Sequence, residues 1–277
     1  FDDLVDSSVD VVVELIGGLS PARDWIERAL MAGKSVVTAN KQVIAHAGPQ
    51  LLTQAGQQGR HLLFEAAVAG GIPILKAIRE GLAANVITTV YGILNGTCNY
   101  ILTLMEREGA SFADALAAAQ AEGYAEADPT FDIDGIDAAQ KLGILVAMAF
   151  GAELDVDSIP RQGLRDLAPI DFEVARELGF RVKMLGIARE AAGQGDERIE
   201  ARVHPALISL GSQLASVDGA MNAVLIVGDA VGPTLYYGAG AGEMPTASAV
   251  VSDAIEIGRE ILRGAGAGRV PPLSRVW

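Results

Sequence analysis

The sequence predicts an α/β chain with two domains, on three observations. Its 277 residues match the length at which one hydrophobic core stops growing and chains divide, roughly 250 to 300 residues. Strands and helices alternate over the first 65 residues, which is the pattern of a parallel sheet. Beyond that point helices and strands come in separate runs, which indicates an α+β domain with an open mixed sheet.

The first strand and helix are marked by their composition. Residues 9–18, VDVVVELIGG, form a β-branched run that ends in Gly-Gly, which predicts a fully buried parallel strand followed by a tight turn. The segment SPARDWIERALMAG then predicts a helix with Ser20 as the N-cap, Pro21 at its first position and Gly33 as its stop.

The same alternation continues through two more strands. SVVTANK predicts a second strand that ends at residues 38–41, HAGPQLLTQAGQQG predicts a helix, and HLLFEAAV predicts a third strand. Such a unit is a doubly wound, Rossmann-like domain. It is predicted to be partial, because the G-x-G-x-x-G that cradles a pyrophosphate is missing, and we expect the chain to be part of a longer protein. The two GAGAG segments, 238–242 and 264–268, do not match that motif, since Glu243 and Arg269 follow them.

The second domain is predicted from capped helices and alternating strands. VITTVYGIL is a strand, NGTCNYILTLMEREG is a turn that enters a helix, and Ser111 is the N-cap of the helix SFADALAAAQAEG. RVKMLGIARE, RIEARVHPALI and AVLIVGD are further strands, TASAVVSDAIEIGREILRG is the last helix, and the tail AGAGRVPPLSRVW is predicted to be unstructured. We therefore expect a nucleotide domain at 1–64 with 240–265, and a second domain at 65–239.

Composition excludes several classes of protein. The net charge of -14 repels nucleic acids and anionic membranes, and no apolar run approaches the roughly 20 residues that span a bilayer. Cys98 is the only cysteine, which predicts no internal disulfide and a cytoplasmic setting, and His46, His61 and His204 lack metal-ligand spacing.

The densest carboxylates lie in residues 123–145, GYAEADPTFDIDGIDAAQKLGIL. Asp134 is predicted as a helix N-cap, which places Asp137 and Lys141 four residues apart on one face. The continuation of that face is apolar, so the pair is predicted to point inward, where a lysine can serve as a proton acceptor or donor. An exposed i,i+4 ion pair is the alternative that the pattern leaves open.

Four segments in this order resemble the homoserine dehydrogenases: VVTANK, FEAAVAGGIPI, ILNGTCNYIL and GYAEADPTFDIDGIDAAQK. The resemblance covers nearly the whole chain. It implies NAD(P)-dependent interconversion of L-homoserine and L-aspartate 4-semialdehyde, in the biosynthesis of threonine, methionine and isoleucine. It also implies that Lys141 is the acid/base, that Asp137 and Glu126 bind the substrate, and that Asp132 lies at the edge of the site. Asp128 and Asp134 are interpreted as turn and cap residues.

The resemblance also implies cofactor contacts. Lys41 matches a second functional lysine that reaches between cofactor and substrate, while Gly17 and Thr38 sit at strand ends near the nicotinamide half. Gly123 and Gly242 match glycines that line the cleft of the cofactor and substrate. The acidic or basic residue that would select NAD or NADP follows the missing first helix.

The loop FEAAVAGGIPI resembles the monovalent-cation loop of the same family. This match implies sodium ligands at Glu65, Val68, Gly70 and Ile72, with hard oxygen donors from a carboxylate and from backbone carbonyls. An ordinary tight turn is the alternative reading.

The remaining expectations concern assembly and alternatives. The family resemblance implies a homodimer built on the sheet of the second domain. The chain could also be the dehydrogenase part of a fusion with an aspartate kinase, part of a chain with an amino-acid-sensing domain, or an inactive interaction module. We expect the 277 residues alone to bind NAD(P) weakly and to turn over poorly.

Overall fold

The computed structural model describes residues 1–191 and 198–264. The predicted unstructured tail and most of the second GAGAG segment lie outside this range. The chain divides into two compact units, Phe1–Ala83 with Gly143–Val156 and Gly242–Trp277, and Ala84–Leu142 with Asp157–Ala241. Residues 65–83 and 143–156, which the sequence assigned to the second domain, belong to the first unit, and residues 240–241, assigned to the nucleotide domain, belong to the second.

Within the described residues the two units contain eight strands and ten α-helices. The strands are β1 (Val11–Glu14), β2 (Ser35–Thr38), β3 (Leu62–Leu63), β4 (Ile87–Ile93), β5 (Phe180–Glu190), β6 (Ile199–Ser209), β7 (Met221–Gly228) and β8 (Gly232–Ala239). The helices are α1 (Asp2–Val5), α2 (Ala22–Met31), α3 (Lys41–Gln57), α4 (Ile74–Lys76, continued by a π turn at Ala77–Gly81), α5 (Gly96–Glu108), α6 (Phe112–Ala121), α7 (Thr130–Ile133), α8 (Ile136–Phe150), α9 (Pro169–Glu177) and α10 (Glu243–Leu262). No described helix is long and apolar enough to cross a membrane.

The first unit contains the predicted parallel sheet, in the order β1-β2-β3. Strand β2 is buried along its whole length, whereas β1 alternates, with Val12 and Glu14 buried and Val13 exposed. The prediction of a fully buried first strand is therefore wrong. The third strand is shorter than predicted, because the backbone leaves the extended region at Phe64 and enters a 3-10 turn at Glu65–Ala67.

Two helix starts in this unit differ from the prediction. Helix α2 begins at Ala22, and Pro21, not Ser20, takes the position before it without a side-chain cap. Helix α3 begins at Lys41, because the Asn40 side chain accepts a hydrogen bond from the Val43 amide and caps it. The sequence had assigned residues 38–41 to the end of a strand.

The second unit holds a five-stranded sheet in the order β6-β5-β4-β7-β8, and all four neighbouring pairs are antiparallel. The prediction of a mixed sheet is therefore wrong for this domain. Strands β4 to β7 were predicted, whereas β8 was missed because it opens with Gly232-Pro233, a dipeptide that signals a turn. One face of the sheet carries an apolar cluster that includes Ile93, Leu185 and Ala223.

Helix α8 begins one residue later than a cap at Asp134 would give. Asp134 instead ends α7, and its carboxylate accepts a 2.7 Å hydrogen bond from Arg165. Gly135 intervenes with φ +80, and a Cβ there would lie 3.0 Å from the Met184 methyl group, so both backbone and space require glycine. The predicted N-cap role of Asp134 is therefore wrong.

Candidate active site

The predicted pair at the start of α8 is buried in the second unit. Lys141 Nζ donates to Asp137 Oδ2 at 2.8 Å and to the Leu94 carbonyl at 2.8 Å. The Asp137 side chain is 3% exposed and that of Lys141 is 12% exposed, so the alternative of a solvated surface ion pair does not hold. An ammonium group has three N–H donors, and these contacts use two of them.

Asn95 joins this pair to a second carboxylate. Its Nδ2 donates to Asp137 Oδ2 and to Asp132 Oδ1, both at 2.8 Å, while its Oδ1 accepts from the Cys98 amide at 2.8 Å and caps α5. The structure thereby brings together three predicted residues, Lys141, Asp137 and Asp132. Asn95 belongs to the segment ILNGTCNYIL, and no role was predicted for it from the sequence; an Asn between a strand and a helix was the available signal.

The Leu94 carbonyl has a further donor. Asn222 Nδ2, from the second residue of β7, lies 3.1 Å from the same oxygen to which Lys141 donates. Asn222 is 1% exposed. The sequence offered no signal for this contact, because the two residues meet only once the sheet is assembled.

Cys98 lies beside the carboxylates without a reactive environment. It is fully buried, and its Sγ donates to the Asp132 carbonyl at 3.2 Å. Burial raises the pKa of the Cys98 thiol well above its ordinary value, and the charge of Asp132 adds to this effect. A protonated buried thiol is a packing group, in agreement with the interpretation from the sequence.

Glu126 and Gly123 lie in the exposed segment that follows α6. Gly123 has φ +78, and the Glu126 carbonyl accepts from Gln120 Nε2 at 3.0 Å. The hydrogen bonds of Lys141 in the described part of the chain go to Leu94 and Asp137, so Glu126 stays a predicted substrate contact. Asp128 has the predicted turn role, because its Oδ1 accepts from the Thr130 amide at 3.1 Å. Hydrogen bonds from the Thr130 side chain and from this amide lower the pKa of Asp128.

In the first unit, polar groups link the carboxyl ends of β1 and β2. Thr38 Oγ1 donates to Glu14 Oε2 at 2.6 Å and accepts from the Asn40 amide at 2.9 Å, while Asn40 Nδ2 donates to the Gly18 carbonyl at 2.7 Å. Gly17 precedes that carbonyl with φ +73. This is the edge at which α/β sheets bind ligands, and Lys41 begins α3 directly beside it. Glu14 and Asn40 were missed by sequence reasoning.

The carboxylate of Glu65 caps the amino-terminal end of helix α4. Its two oxygens accept from the amides of Leu75 and Lys76, each at 2.8 Å, and its own amide donates to Asp253 Oδ2 at 2.9 Å. Burial raises the pKa of Glu65 to about 7 and that of Asp253 to about 6. At this loop, carbonyl oxygens are thus the donors that a cation would use.

The rest of the predicted cation loop turns through left-handed backbone. Ala69 has φ +55 and Gly70 has φ +48, while Val68 and Ile72 are buried on either side. The Ile72 carbonyl accepts from the Ile74 amide at 2.7 Å. Gly242, a predicted cleft residue, precedes α10 with φ +118, a conformation that favours glycine.

Residues 73–255 match the family model described as homoserine dehydrogenase. The chain belongs to the homoserine dehydrogenase family. Residues 1–65 match the model described as homoserine dehydrogenase, NAD binding domain, so both units carry sequence of this family.

Relatives support the same assignment over most of the chain. The homoserine dehydrogenase of Pseudomonas aeruginosa is 52% identical over 259 residues, which are 94% of this chain and 59% of the relative. The crystal structure of a homoserine dehydrogenase from Thiobacillus denitrificans is 55% identical, with a TM-score of 0.92 over 98% of this chain and 62% of that one. A hyperthermophilic archaeal homoserine dehydrogenase in complex with NADPH is 28% identical, with a TM-score of 0.80 over 94% of this chain and 74% of that one. The chain thus spans about three fifths of the length of its first two relatives.

Proposed function

We propose that this homoserine dehydrogenase family chain interconverts L-homoserine and L-aspartate 4-semialdehyde with NAD(P), within the full-length protein that carries it. The observation that carries this proposal is the network of Lys141, Asp137, Asn95 and Asp132, in which an ammonium and two carboxylates meet at the start of an otherwise apolar helix. The names of the relatives, one of them a complex with NADPH, agree with it.

Lys141 acts as the acid/base of this reaction. Its side chain is partly accessible and two of its three donors are held, so the third N–H site faces the substrate oxygen. In the reducing direction the Lys141 ammonium gives this third proton to the developing alkoxide, which leaves a neutral amine; in the oxidising direction the neutral amine takes the hydroxyl proton of homoserine at the same position and becomes the ammonium. Bound NAD(P) supplies the hydride acceptor or donor.

The carboxylates supply binding and orientation. Asp137 holds the Lys141 ammonium, and Asp137, Asp132 and Glu126 provide partners for the ammonium group that an amino-acid substrate brings. Asn95 keeps the first two carboxylates in place through its single amide nitrogen. The charged groups that the reaction uses are therefore held in position before the substrate binds.

The cofactor contacts are assigned to Gly17, Thr38, Lys41, Gly123 and Gly242. In the first unit the left-handed backbone at Gly17 and Gly18 and the Glu14–Thr38–Asn40 contacts suit a ligand edge, since they fix the turns after β1 and β2. Lys41 is the second functional lysine.

A sodium ion is assigned to the loop of Glu65, Val68, Gly70 and Ile72. The support is the left-handed backbone at Ala69 and Gly70, which makes a tight turn in this loop. Because the Glu65 carboxylate caps α4, main-chain oxygens are the donors assigned to the ion.

A homodimer in the cytoplasm completes the proposal. Leu207 of β6 and Tyr237 of β8 are each 57% exposed, and apolar side chains on a sheet are typical of surfaces covered by a second copy. The single cysteine, Cys98, suits a reducing compartment. Sedimentation of the full-length protein checks the dimer, and a monomer at micromolar concentration would contradict it.

Substitution of Lys141 tests the function. In the full-length protein, Lys141→Ala should lower kcat for homoserine oxidation by about 10²- to 10⁴-fold, which is the usual contribution of a general acid/base. Asp137→Ala should also lower kcat strongly, with both variants folded by circular dichroism. Lys76→Ala is the matched control, since Lys76 pairs with Glu256 on the surface of the first unit, and it should keep near wild-type turnover. Near wild-type activity of Lys141→Ala would contradict the assignment.

A further inference from the structure

The Asn222 carboxamide and the Lys141 ammonium share one acceptor. Asn222 Nδ2 lies 3.1 Å from the Leu94 carbonyl oxygen and Lys141 Nζ lies 2.8 Å from it. A backbone carbonyl has two lone pairs, so these two donors saturate it. The direction of one hydrogen bond therefore constrains the other.

The carboxamide is enclosed by two glycines. An ideal Cβ on Gly240 would lie 2.0 Å from Asn222 Cγ, and one on Gly96 would lie 3.6 Å from Asn222 Oδ1 and 2.7 Å from the Ala220 carbonyl. Gly240 belongs to the GAGAG segment at 238–242, whose spacing did not fit a dinucleotide motif. Its glycine allows the end of β8 to close over Asn222.

The other end of the carboxamide has no partner. Asn222 Oδ1 is buried and makes no hydrogen bond among the described residues. A buried polar atom without a partner is destabilising, and an apolar side chain in the same place would avoid that cost. Asn222 therefore has an unpaired, unfavourable acceptor as well as the donor that contacts Leu94. Because an apolar residue would avoid this cost, the donor is inferred to have a role.

We propose that Asn222 is a positioning residue for Lys141, acting through the Leu94 carbonyl; this rests on the proposed function of Lys141. A lysine side chain is a flexible four-carbon stem, so one ion pair with Asp137 does not fix the orientation of its ammonium. The second contact, to an oxygen that Asn222 holds, fixes it. The third N–H of Lys141 then has one direction, toward the substrate oxygen.

Three variants of the full-length protein test this role. Asn222→Asp keeps the shape but lacks the donor, Asn222→Ala removes the group, and Gly240→Ala drives a methyl group into the place of the carboxamide. Each should lower kcat for homoserine oxidation by about 10- to 100-fold, the range for a misplacement of about 1 Å. The KM for homoserine should change less than about threefold, and the primary deuterium isotope effect should rise as the chemical step becomes limiting.

A buried asparagine of helix α5 supplies the control. Asn99 is fully buried, and its Nδ2 donates to the carbonyls of Val217 and Gly219, which precede β7, and of Met221, the first residue of β7, and not to that of Leu94. Asn99→Ala should lower the melting temperature and leave kcat per folded protein within about twofold. An equal kcat loss in Asn99→Ala would overturn the proposal, because general loosening would then explain the Asn222 variants.

The double variant Asn222→Ala with Gly240→Ala tests whether Gly240→Ala lowers kcat through Asn222 or independently of it. If Gly240→Ala acts by displacing the carboxamide, it should lower kcat no further once that group is gone. A further loss equal to that of Gly240→Ala alone would overturn the proposal.

A crystal structure of Asn222→Asp gives a readout that does not depend on turnover. The contact between Lys141 Nζ and the Leu94 carbonyl should lengthen beyond about 3.5 Å, past hydrogen-bond range. Unchanged geometry would overturn the inference whatever the kinetics. If the wild-type protein does not oxidise homoserine, the proposed function fails, while a displaced Lys141 would still support the positioning role of Asn222.

Discussion

Asn95→Ala removes three hydrogen bonds at one point of the site. The two to Asp132 and Asp137 and the cap on the Cys98 amide are each 2.8 Å long. An N-cap contributes about 1 kcal/mol, and hydrogen bonds to charged groups contribute about 1.5–3 kcal/mol each. Because Asp132 is partly exposed and water can replace one partner, we expect a total loss of about 3 kcal/mol.

Asn95→Ser separates the cap from the bridge. A serine caps a helix about as well as asparagine but is too short to reach both carboxylates, so it should lose about 2 kcal/mol. For a protein of this size 1 kcal/mol shifts the melting temperature by about 2–4 °C. The serine variant should therefore melt a few degrees above the alanine variant, while kcat falls about tenfold in both because Asp137 loses an orienting donor.

Thermal denaturation and steady-state kinetics on the same preparations are the assay. Ser111→Ala is the control, since Ser111 caps α6 by accepting from the Asp114 amide at 3.2 Å. It should cost about 1 kcal/mol and leave kcat unchanged. The reasoning is refuted if Asn95→Ser keeps wild-type kcat, or if it is no more stable than Asn95→Ala.

Two further predictions concern buried titratable groups. Burial raises the pKa of Asp253 from its ordinary 3.8 to about 6; the folded state then binds more protons in this window, so stability falls as pH rises from about 4 to 6. Asp253→Asn keeps an acceptor for the Glu65 amide. In melts without added sodium, its free energy of unfolding should therefore exceed that of the wild type by about 1–3 kcal/mol above pH 6 and by nothing below pH 4. A gain in stability that is independent of pH would contradict this. Burial also raises the pKa of Cys98, so a thiol reagent should label the native protein only at its unfolding rate, and rapid labelling without denaturant would disprove that environment.

Local signals in the sequence were sufficient for much of the fold. Ser111 was identified as a cap and caps α6, and strands β4 to β7 follow their alternating or β-branched composition. The helix starts at Ala22 and Ile136 were missed, because Pro21 and Gly135 set the local backbone and displace the predicted caps. Strand β8 was missed because its first residues, Gly232 and Pro233, are typical of turns. The segment is extended because it pairs with β7 in the sheet.

The shared helical face of Asp137 and Lys141 follows from their spacing in the sequence alone. Positions four apart are neighbours in any α-helix, and the apolar residues that follow place this face inside. Which groups surround the pair depends instead on the assembled fold. Asn95 lies 42 residues from Asp137, and Asn222 lies 128 residues from Leu94; these contacts depend on strand register and on helix packing against the sheet, which no local repeat encodes.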